Sequence, residues 1–391
     1  MQPLTGVRVL DLSRLLPGPF ASLVLADMGA RVDKIEEVQG GDYLRHVPPL
    51  VQGAAPRPAT SGMFLALNRN KRSACIDLKT PGGKGVLLRL VEKYDVLLEQ
   101  FRPGVLDRLG LSHAILRAKN PRLVVCALSG YGQDGPLSQR AGHDLNYLAR
   151  AGVLGFQGPS SGPPQVPGFQ LADISGGLWS VIGILGALAE RTRTGEGSIV
   201  DVAMVESALG FAAAGYGAFF ADSAQKRGEE VLTGGLAGYA TYETKDGGWM
   251  TLGALEPKFW LAFCQGIGLA PDLTGLMPGP HQTELRAKVA SIFKTKTRAE
   301  WEAFALERDC CLEPVLTPEE ATRDPHLKER GVFFEMDSSS GSIKQFRTPL
   351  TPKGVTHTPP PAQGEHTDAI LREAGFGSEE IAALCAERAI A

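Results

Sequence analysis

The chain has 391 residues, of which 43% are hydrophobic and 21% are charged, and its formal net charge at pH 7 is -3. This length exceeds one typical domain and predicts a large domain with a smaller one beside it. The ordinary composition and the slight negative charge argue against a general nucleic-acid surface or an anionic-membrane surface, so we expect small molecules or other subunits as partners.

The N-terminal region alternates strand and helix patterns. Apolar and β-branched residues predict strands at 6–12 and 29–35, separated by the turn Pro17-Gly18-Pro19 and a helix over 20–28. A strand, a helix and a second strand in this order favour a parallel sheet with helices on its faces, that is, a Rossmann-like α/β fold. The first turn has no GxGxxG sequence, so a dinucleotide site is not predicted.

Further strands and two irregular stretches follow. Strands are predicted at 73–78, 95–99, 123–128 and 198–202, with a helix over 82–94. Residues 40–62 contain several glycines and prolines and predict a long loop. The basic cluster 67–72 is typical of a solvated face, with anion binding as the second interpretation.

Two arginines occur where an open sheet binds ligands. Arg102 and Arg108 follow the strand at 95–99, and loops at the carboxyl ends of parallel strands commonly form ligand sites. Their guanidinium groups could form charge-assisted hydrogen bonds with phosphates.

The pattern changes after residue 232. A hairpin is predicted over 239–252, followed by amphipathic helices near 258–268, 283–294 and 298–308, so the second domain is expected to be α+β. We expect a large domain over 1–204, a linker helix over 205–232, a small domain over 233–320, a linker over 321–344 and a C-terminal segment over 345–391 that returns to the large domain.

The cysteines and the apolar runs favour a cytoplasmic protein. The six cysteines have no paired metal spacing, and no secretory signal precedes the first strand, so we expect free thiols, a reducing compartment and no metal site. The apolar run at 208–220 is interrupted by glycine and is shorter than the roughly 20 residues of a membrane helix. No membrane-spanning segment is therefore predicted.

Three acidic or basic positions are candidates for proton transfer. His143 stands next to Asp144 in the stretch 140–147, and Asp173 and Glu256 each lie among small or apolar neighbours. In a mostly apolar pocket a histidine and two carboxylates could have their pKa values pushed apart and act as acid and base. Helix capping is the structural alternative at each position, and the spacing leaves open whether the residues meet.

Several motifs together resemble a known family. They are the stretch 67–72 with Asp77-Leu78-Lys79, and the stretches 102–110, 130–136 and 191–197. These resemble the type III CoA-transferase superfamily over nearly the whole chain. The stretches 141–147 and 253–259 are most similar to the α-methylacyl-CoA racemases within that superfamily.

The resemblance implies a role for each site residue. His143, backed by Glu256, would face Asp173 across the α-carbon of an acyl-CoA thioester, with N–H donors at the start of the Asp173 helix as candidates for stabilising an enolate. Lys79 and Arg108 would contact CoA phosphates, Ile76 would lie by the adenine, and Asp144 and Tyr147 would line the pantetheine or thioester end. CoA would be part of the substrate and no further cofactor is implied. The resemblance also implies an interlocked homodimer in which Glu256 comes from the partner chain.

Two other functions stay open beside racemisation of a 2-methyl-branched acyl-CoA. In the transferases of the superfamily the aspartate that matches Asp173 is a nucleophile, and the stretch Ile35-Glu36-Glu37 is closer to those proteins. A non-catalytic acyl-CoA-binding protein is the third possibility. The acyl group would depend on residues 40–62 and 221–240.

Overall fold

The computed structural model describes residues 2–53, 58–222, 226–270, 272–338 and 341–391. The strands are β1 (Arg8–Asp11), β2 (Arg31–Glu36), β3 (Leu50–Val51), β4 (Thr60–Ser61), β5 (Lys71–Cys75), β6 (Val96–Glu99), β7 (Val124–Ser129), β8 (Ile199–Ala203), β9 (Tyr239–Glu243), β10 (Trp249–Gly253), β11 (Leu312–Pro314), β12 (Phe333–Ser338) and β13 (Gly341–Phe346).

The helices connect and cover these strands. They are α1 (Pro17–Asp27), α2 (Gly62–Leu67), α3 (Pro81–Val91), α4 (Val105–Arg108), α5 (His113–Lys119), α6 (Asp144–Arg150), α7 (Leu171–Thr194), α8 (Met204–Leu209), α9 (Ala213–Ala221), α10 (Pro257–Gly266), α11 (His281–Phe293), α12 (Arg298–Glu307), α13 (Pro318–Arg323), α14 (Pro325–Glu329), α15 (Thr367–Glu373) and α16 (Ser378–Ala386). Short 3-10 turns occur at Tyr43–His46, Val153–Phe156, Gly210–Ala212 and Leu273–Leu276.

The chain consists of two compact units. Unit 1 contains residues 1–151, 168–210 and 325–391, and unit 2 contains residues 152–167 and 211–324. The domain limits drawn from the sequence stay a prediction.

Unit 1 is built on a parallel sheet of six strands in the order β5-β2-β1-β6-β7-β8. Every residue of β6 and β7 is buried, as expected for central strands covered on both faces. One face of the sheet packs on an apolar core that includes α3, α5 and the C-terminal helices α15 and α16. The predicted Rossmann-like α/β architecture is confirmed.

Helix α7 packs closely on α1 and β7. Gly177 makes this possible, because a Cβ atom there would lie 2.8 Å from the carbonyl oxygen of Pro17. The C-terminal end of α7 is fixed by an ion pair of 2.9 Å between Arg191 and Asp95. The close packing and this ion pair hold both ends of a long helix whose first turn carries Asp173.

Some local predictions were wrong at the ends of elements. The residues Pro17-Gly18-Pro19 form the first turn of α1 rather than a separate turn, because proline is tolerated at the first helical position. The linker helix expected over 205–232 is not continuous, because the 3-10 turn Gly210–Ala212 separates α8 from α9.

The basic cluster at 67–72 is not a solvated face. Arg69 is fully buried and binds Asp27 through Nε and one terminal nitrogen, while its other terminal nitrogen donates to Gln345. Lys71 is also buried and donates to the carbonyl oxygen of Pro19 and to Asn68. Burial lowers the pKa of Lys71 to about 7 even though Asp11 opposes that shift. These cations therefore hold helices and loops together inside unit 1.

Unit 2 contains the antiparallel sheet β11-β10-β9 and the helices α10, α11 and α12. Its core is aromatic, with Tyr242 stacked on Phe293 at 4.7 Å and Trp260, Phe263 and Trp301 fully buried. The predicted hairpin and the predicted α+β character of this region are confirmed.

Two segments have the length and hydropathy of membrane-spanning helices, namely Leu171–Thr194 and Met204–Ala221. A core helix of a soluble protein passes the same test. Helix α7 fits that description on one of its faces, since Ala172, Ser175, Gly176, Ser180 and Ile184 are buried against unit 1.

Candidate active site

A cavity of about 680 Å³ lies at the carboxyl ends of the strands in unit 1. It is lined by residues that follow β1, β2, β5, β6 and β7, and by residues of α6, α7 and α8. Ligands of open α/β sheets bind at this edge. Of the predicted site residues, the lining includes His143, Asp173, Tyr147, Ile76, Lys79 and Arg102.

His143 is held by the start of α6. It is the residue that precedes the helix, and its backbone N–H donates to Asn146 Oδ1 at 3.0 Å. Its imidazole is exposed and forms part of the cavity wall. The backbone of His143 is fixed by this cap, and its ring lines the same cavity as Asp173.

Asp173 lies in the first turn of α7, which begins at Leu171 after Gln170. The sequence placed it at the cap itself, and this was wrong by one helical turn. Burial raises the pKa of Asp173 to about 7, and the negative charge of Asp144 acts in the same direction. A carboxyl group with this pKa is present in both protonation states near neutral pH, as an acid-base catalyst requires.

Asp144 lies behind Asp173 rather than on the cavity wall. Its Oδ1 accepts hydrogen bonds from the backbone N–H groups of Ala172 at 2.7 Å and Asp173 at 3.1 Å. A carboxylate from α6 therefore caps α7 and joins the starts of the two helices that carry His143 and Asp173. The N–H groups expected to stabilise an enolate are occupied by this contact, so that expectation was wrong for Ala172 and Asp173.

Tyr147 lines the same cavity as His143 and Asp173. Its hydroxyl donates to the carbonyl oxygen of Gly142 at 2.6 Å, and its ring packs edge-on against Tyr131 at 5.2 Å. Burial, followed by the charge of Asp173, raises its pKa to about 12. Gly130 and Gly142 are required here, because a Cβ atom would lie 2.5 Å and 2.7 Å from the Tyr147 ring. Tyr147 therefore shapes the wall and keeps its proton.

The other end of the cavity carries the residues expected to bind CoA. Ile76 and Lys79 follow β5, and Lys79 forms an ion pair of 2.8 Å with Glu37. The hydrogen bond that Lys79 donates to the Glu37 carboxylate raises the pKa of Lys79. Arg102 lines the cavity after β6, whereas Arg108, on α4, is outside the described lining. The structure thus places Arg102, and not Arg108, on the cavity wall.

Glu256 belongs to unit 2. It precedes α10 as the cap residue with Pro257 at the first helical position, as the sequence predicted, and its side chain is exposed. Cys311 lies near it, and burial and then the charge of Glu256 raise the pKa of that thiol.

Two features of the cavity were not found from the sequence. Arg14 and Tyr43 line it after β1 and β2, where the rule on carboxyl ends of strands could have directed attention to them. The contact between Asp144 and α7 joins residues 28 positions apart, and no local pattern reports it.

The fold and the cavity define an α/β protein with a ligand site at the carboxyl edge of its sheet. A family model, CoA-transferase family III, matches residues 4–367. The chain is 41% identical over 397 residues to the α-methylacyl-CoA racemase of Homo sapiens, covering 99% of this chain and 97% of that protein. It is 30% identical over 385 residues to the succinyl-CoA:glutarate CoA-transferase of Mus musculus, covering 95% and 86%. Among solved structures, a CAIB/BAIF family protein from Brucella suis superposes with a TM-score of 0.81 at 30% identity and covers 95% of this chain and 99% of that one.

The chain therefore belongs to CoA-transferase family III, and it is an enzyme of that superfamily. The resemblance drawn from the sequence motifs is confirmed at this level.

Proposed function

We propose that the protein is a racemase that interconverts (R)- and (S)-2-methyl-branched acyl-CoA thioesters. The observation that carries this proposal is the cavity wall formed by His143 and Asp173, in which the carboxyl group of Asp173 has a pKa of about 7. The identity of 41% with a racemase over nearly the whole chain supports the same reaction.

The chemistry is a pair of proton transfers. The thioester carbonyl acidifies the α-hydrogen, so one base can remove that proton and leave an enolate. In one direction the neutral imidazole of His143 takes the proton from one face, and the protonated carboxyl of Asp173 gives a proton to the opposite face. In the reverse direction the carboxylate of Asp173 is the base and the imidazolium of His143 is the acid. Each cycle inverts the carbon and consumes no metal or redox cofactor.

Asp144 and Tyr147 support these transfers in different ways. Asp144 holds the first turn of α7 and, by its charge, favours the protonated form of Asp173. Tyr147 lines the cavity with the two proton carriers and is packed in place against Tyr131. The CoA moiety would bind toward Ile76, Lys79 and Arg102, and its binding would hold the reacting carbon between the two proton carriers.

We propose that the enzyme is a cytoplasmic homodimer in which Glu256 of the partner subunit supports His143. Helix α7 exposes Leu178, Trp179 and Ile182 to solvent in the single chain, and an apolar face of this kind suits a second subunit. All six cysteines are free thiols, which fits a reducing compartment.

The second candidate is CoA transfer between carboxylic acids. The relationship to a succinyl-CoA:glutarate CoA-transferase at 30% identity favours it. Asp173 would then attack the thioester carbonyl, form an acyl anhydride and release the CoA thiolate. Only the ionised carboxylate is nucleophilic, so a pKa of about 7 suits this reaction less well than acid-base catalysis.

Proton exchange distinguishes the two candidates. The purified protein is incubated with (R)- or (S)-2-methylacyl-CoA in deuterated water without an acceptor acid, and the mass and chirality of the product are measured. Deuterium at the α-carbon with loss of optical purity supports racemisation. Transfer of CoA to an added carboxylate, with no exchange in its absence, overturns the racemase assignment and makes Asp173 a nucleophile.

A further inference from the structure

Arg14 follows β1, one of the two central strands of the sheet edge that lines the cavity; the other central strand, β6, leads to Arg102. The sheet order puts β1 two strands away from β5, which leads to Ile76, and two strands away from β7, which leads toward His143. Since neighbouring strands are about 4.8 Å apart, each end is roughly 10 Å from the position of β1. In a CoA thioester the diphosphate joins the adenosine to the pantetheine arm. The middle of the cavity is therefore where a bound diphosphate would lie.

Arg14 has no acidic partner among the described residues, unlike two other cations of the cavity wall. Two lysines on the cavity wall are paired, Lys34 with Asp42 at 2.9 Å and Lys79 with Glu37 at 2.8 Å. Among the residues that the structure describes, no carboxylate lies within ion-pair distance of Arg14. Its guanidinium stacks on the Tyr43 ring, 4.3 Å from the centroid, and donates to the Tyr43 hydroxyl. Guanidinium has five N–H donors, so several remain for a ligand.

The residues on each side of Arg14 are fixed by a buried ion pair. Lys34, which is fully buried, donates to the carbonyl oxygen of Ser13 at 2.6 Å. Asp42 accepts from the N–H of Leu15 at 3.0 Å, which holds Leu15 in the left-handed region with φ 66. The backbone on both sides of Arg14 is thus set before any ligand arrives.

The same ion pair fixes Tyr43. Asp42 directly precedes Tyr43, and its backbone N–H donates to Glu36 at 3.0 Å. Burial opposes the charge of Lys34, but Asp42 and Asp11 outweigh it and raise the pKa of this lysine, so Lys34 keeps its charge. The two loops that carry Arg14 and Tyr43 are therefore joined beneath the surface. A preorganised guanidinium loses little further freedom when an anion binds.

We propose that Arg14, held on the ring of Tyr43, binds the diphosphate of the CoA moiety. A planar guanidinium can contact two phosphate oxygens at once, which an ammonium group cannot do. Lys79 would serve the adenosine end, where Glu37 competes with the ligand for its ammonium group. This inference rests on the proposed function, because it takes a CoA thioester as the substrate.

The test measures binding of CoA, dephospho-CoA and 4′-phosphopantetheine by calorimetry. Arg14→Ala is expected to weaken CoA and dephospho-CoA by the same factor, about ten-fold, because both ligands contain the diphosphate. Lys79→Ala is expected to reduce the preference for CoA over dephospho-CoA. Arg14→Lys should recover only part of the affinity, since it keeps the charge and loses the planar contact. Arg193→Ala, at an exposed arginine near the end of α7, is the matched control and should bind all three ligands as the wild type does.

Two results would overturn the inference. One is Arg14→Ala protein that binds CoA with unchanged affinity. The other is a loss confined to the preference for CoA over dephospho-CoA, which would assign Arg14 to the 3′-phosphate. Either result can occur while the wild type still exchanges the α-proton, so it leaves the proposed function standing. A wild type that binds none of these ligands would instead remove the proposed function.

Discussion

At Asp173, burial and the nearby carboxylate of Asp144 act in the same direction on one proton. The two aspartates are joined by a hydrogen bond from the Asp173 N–H to Asp144 Oδ1. This contact gives Asp144 two separable effects, one mechanical through the start of α7 and one electrostatic through its charge.

Asp144→Asn separates these two effects. The amide oxygen can still accept from Ala172 and Asp173, but the charge is lost, so the pKa of Asp173 should fall from about 7. With the enantiomer whose proton Asp173 removes, the rate should decline as pH falls through that pKa; with the other enantiomer it should decline as pH rises through it. In the variant, the pH at which each of these two rates declines should be lower than in the wild type. Profiles of deuterium incorporation against pH for the two enantiomers provide the measurement, and a decline at the wild-type pH in both profiles would contradict the electrostatic effect.

Asp173→Asn should show how much the carboxyl group of Asp173 lowers the free energy of unfolding. Its pKa is raised on folding from 3.8 to about 7, so the folded state disfavours the carboxylate. Below pH 3.8, the pKa of the unfolded state, the raised pKa of Asp173 costs the folded protein no stability. The loss of stability grows as pH rises from there to about 7, and it is complete above the folded-state pKa. At about 1.36 kcal/mol per pKa unit, the variant should gain on the order of 2 to 4 kcal/mol in the free energy of unfolding at alkaline pH.

Denaturant unfolding at about pH 8 and about pH 4 would measure this gain. The stabilisation should be present at the higher pH and nearly absent at the lower one. Asp134→Asn, at an exposed position in the turn after β7, is the matched control and should show no such difference. A variant of Asp173 with equal stability gains at both pH values would contradict the raised pKa. The same variant should lose proton exchange altogether.

At the scale of elements, the position of α7 depends on glycines that face α1 and α8. A Cβ atom at Gly177 would meet the carbonyl oxygen of Pro17 at 2.8 Å and the Phe20 ring at 2.9 Å, while one at Gly176 would meet Met204 at 2.7 Å. The backbone of Pro17 cannot move aside as the flexible side chain of Met204 can. Glycine is therefore required more strictly at Gly177 than at Gly176. Asp173 lies one helical turn before it.

Gly177→Ala and Gly186→Ala form a matched pair on one helix. Gly186 has no atom within 4 Å of an added Cβ, so alanine there should stabilise the protein by about 0.5 to 1 kcal/mol through helix propensity. Gly177→Ala should instead cost about 1 to 3 kcal/mol through overpacking and should lower proton exchange, because the first turn of α7 shifts. Thermal unfolding and exchange rates of both variants provide the measurement. A stabilised Gly177→Ala protein would show that α7 is free to move away from α1.

At the scale of the whole molecule, the proposed dimer assigns His143 and Glu256 of one site to different chains. Co-expression of His143→Ala with Glu256→Ala tests this directly. If each site takes Glu256 of the partner subunit, a mixed dimer contains one intact site and one site with both substitutions. Random pairing should then restore about a quarter of the wild-type activity, although each variant alone is inactive.

The control for this experiment is co-expression of His143→Ala with Asp173→Asn. Both residues line the same cavity of unit 1, so every site in the mixture lacks one of them and no activity should return. Failure of the first pair to recover activity, in dimers shown by chromatography to be mixed, would place Glu256 and His143 of a working site in one chain.

The sequence by itself determined the strands of the parallel sheet, the fold class and the family. Buried parallel strands are often short apolar runs, so β6 and β7 could be found from local pattern alone. His143 and Asp173 were found in the same way, because each stands out from its own neighbours and matches a family motif. Element ends were less well predicted, as at Pro17, where a proline is compatible with both a turn and a helix start.

Only the tertiary structure decided how these residues act. The pKa of Asp173 arises from burial and from a carboxylate on another helix, and neither is encoded in the residues beside it. Arg69 and Lys71 look like surface cations in the sequence but are buried, because their partners Asp27 and Asp11 come from α1 and β1, respectively. Arg14 and Tyr43 are 29 residues apart and meet through the packing of two loops. Charges acquire their roles from neighbours that the fold supplies, and local sequence cannot report neighbours that are distant along the chain.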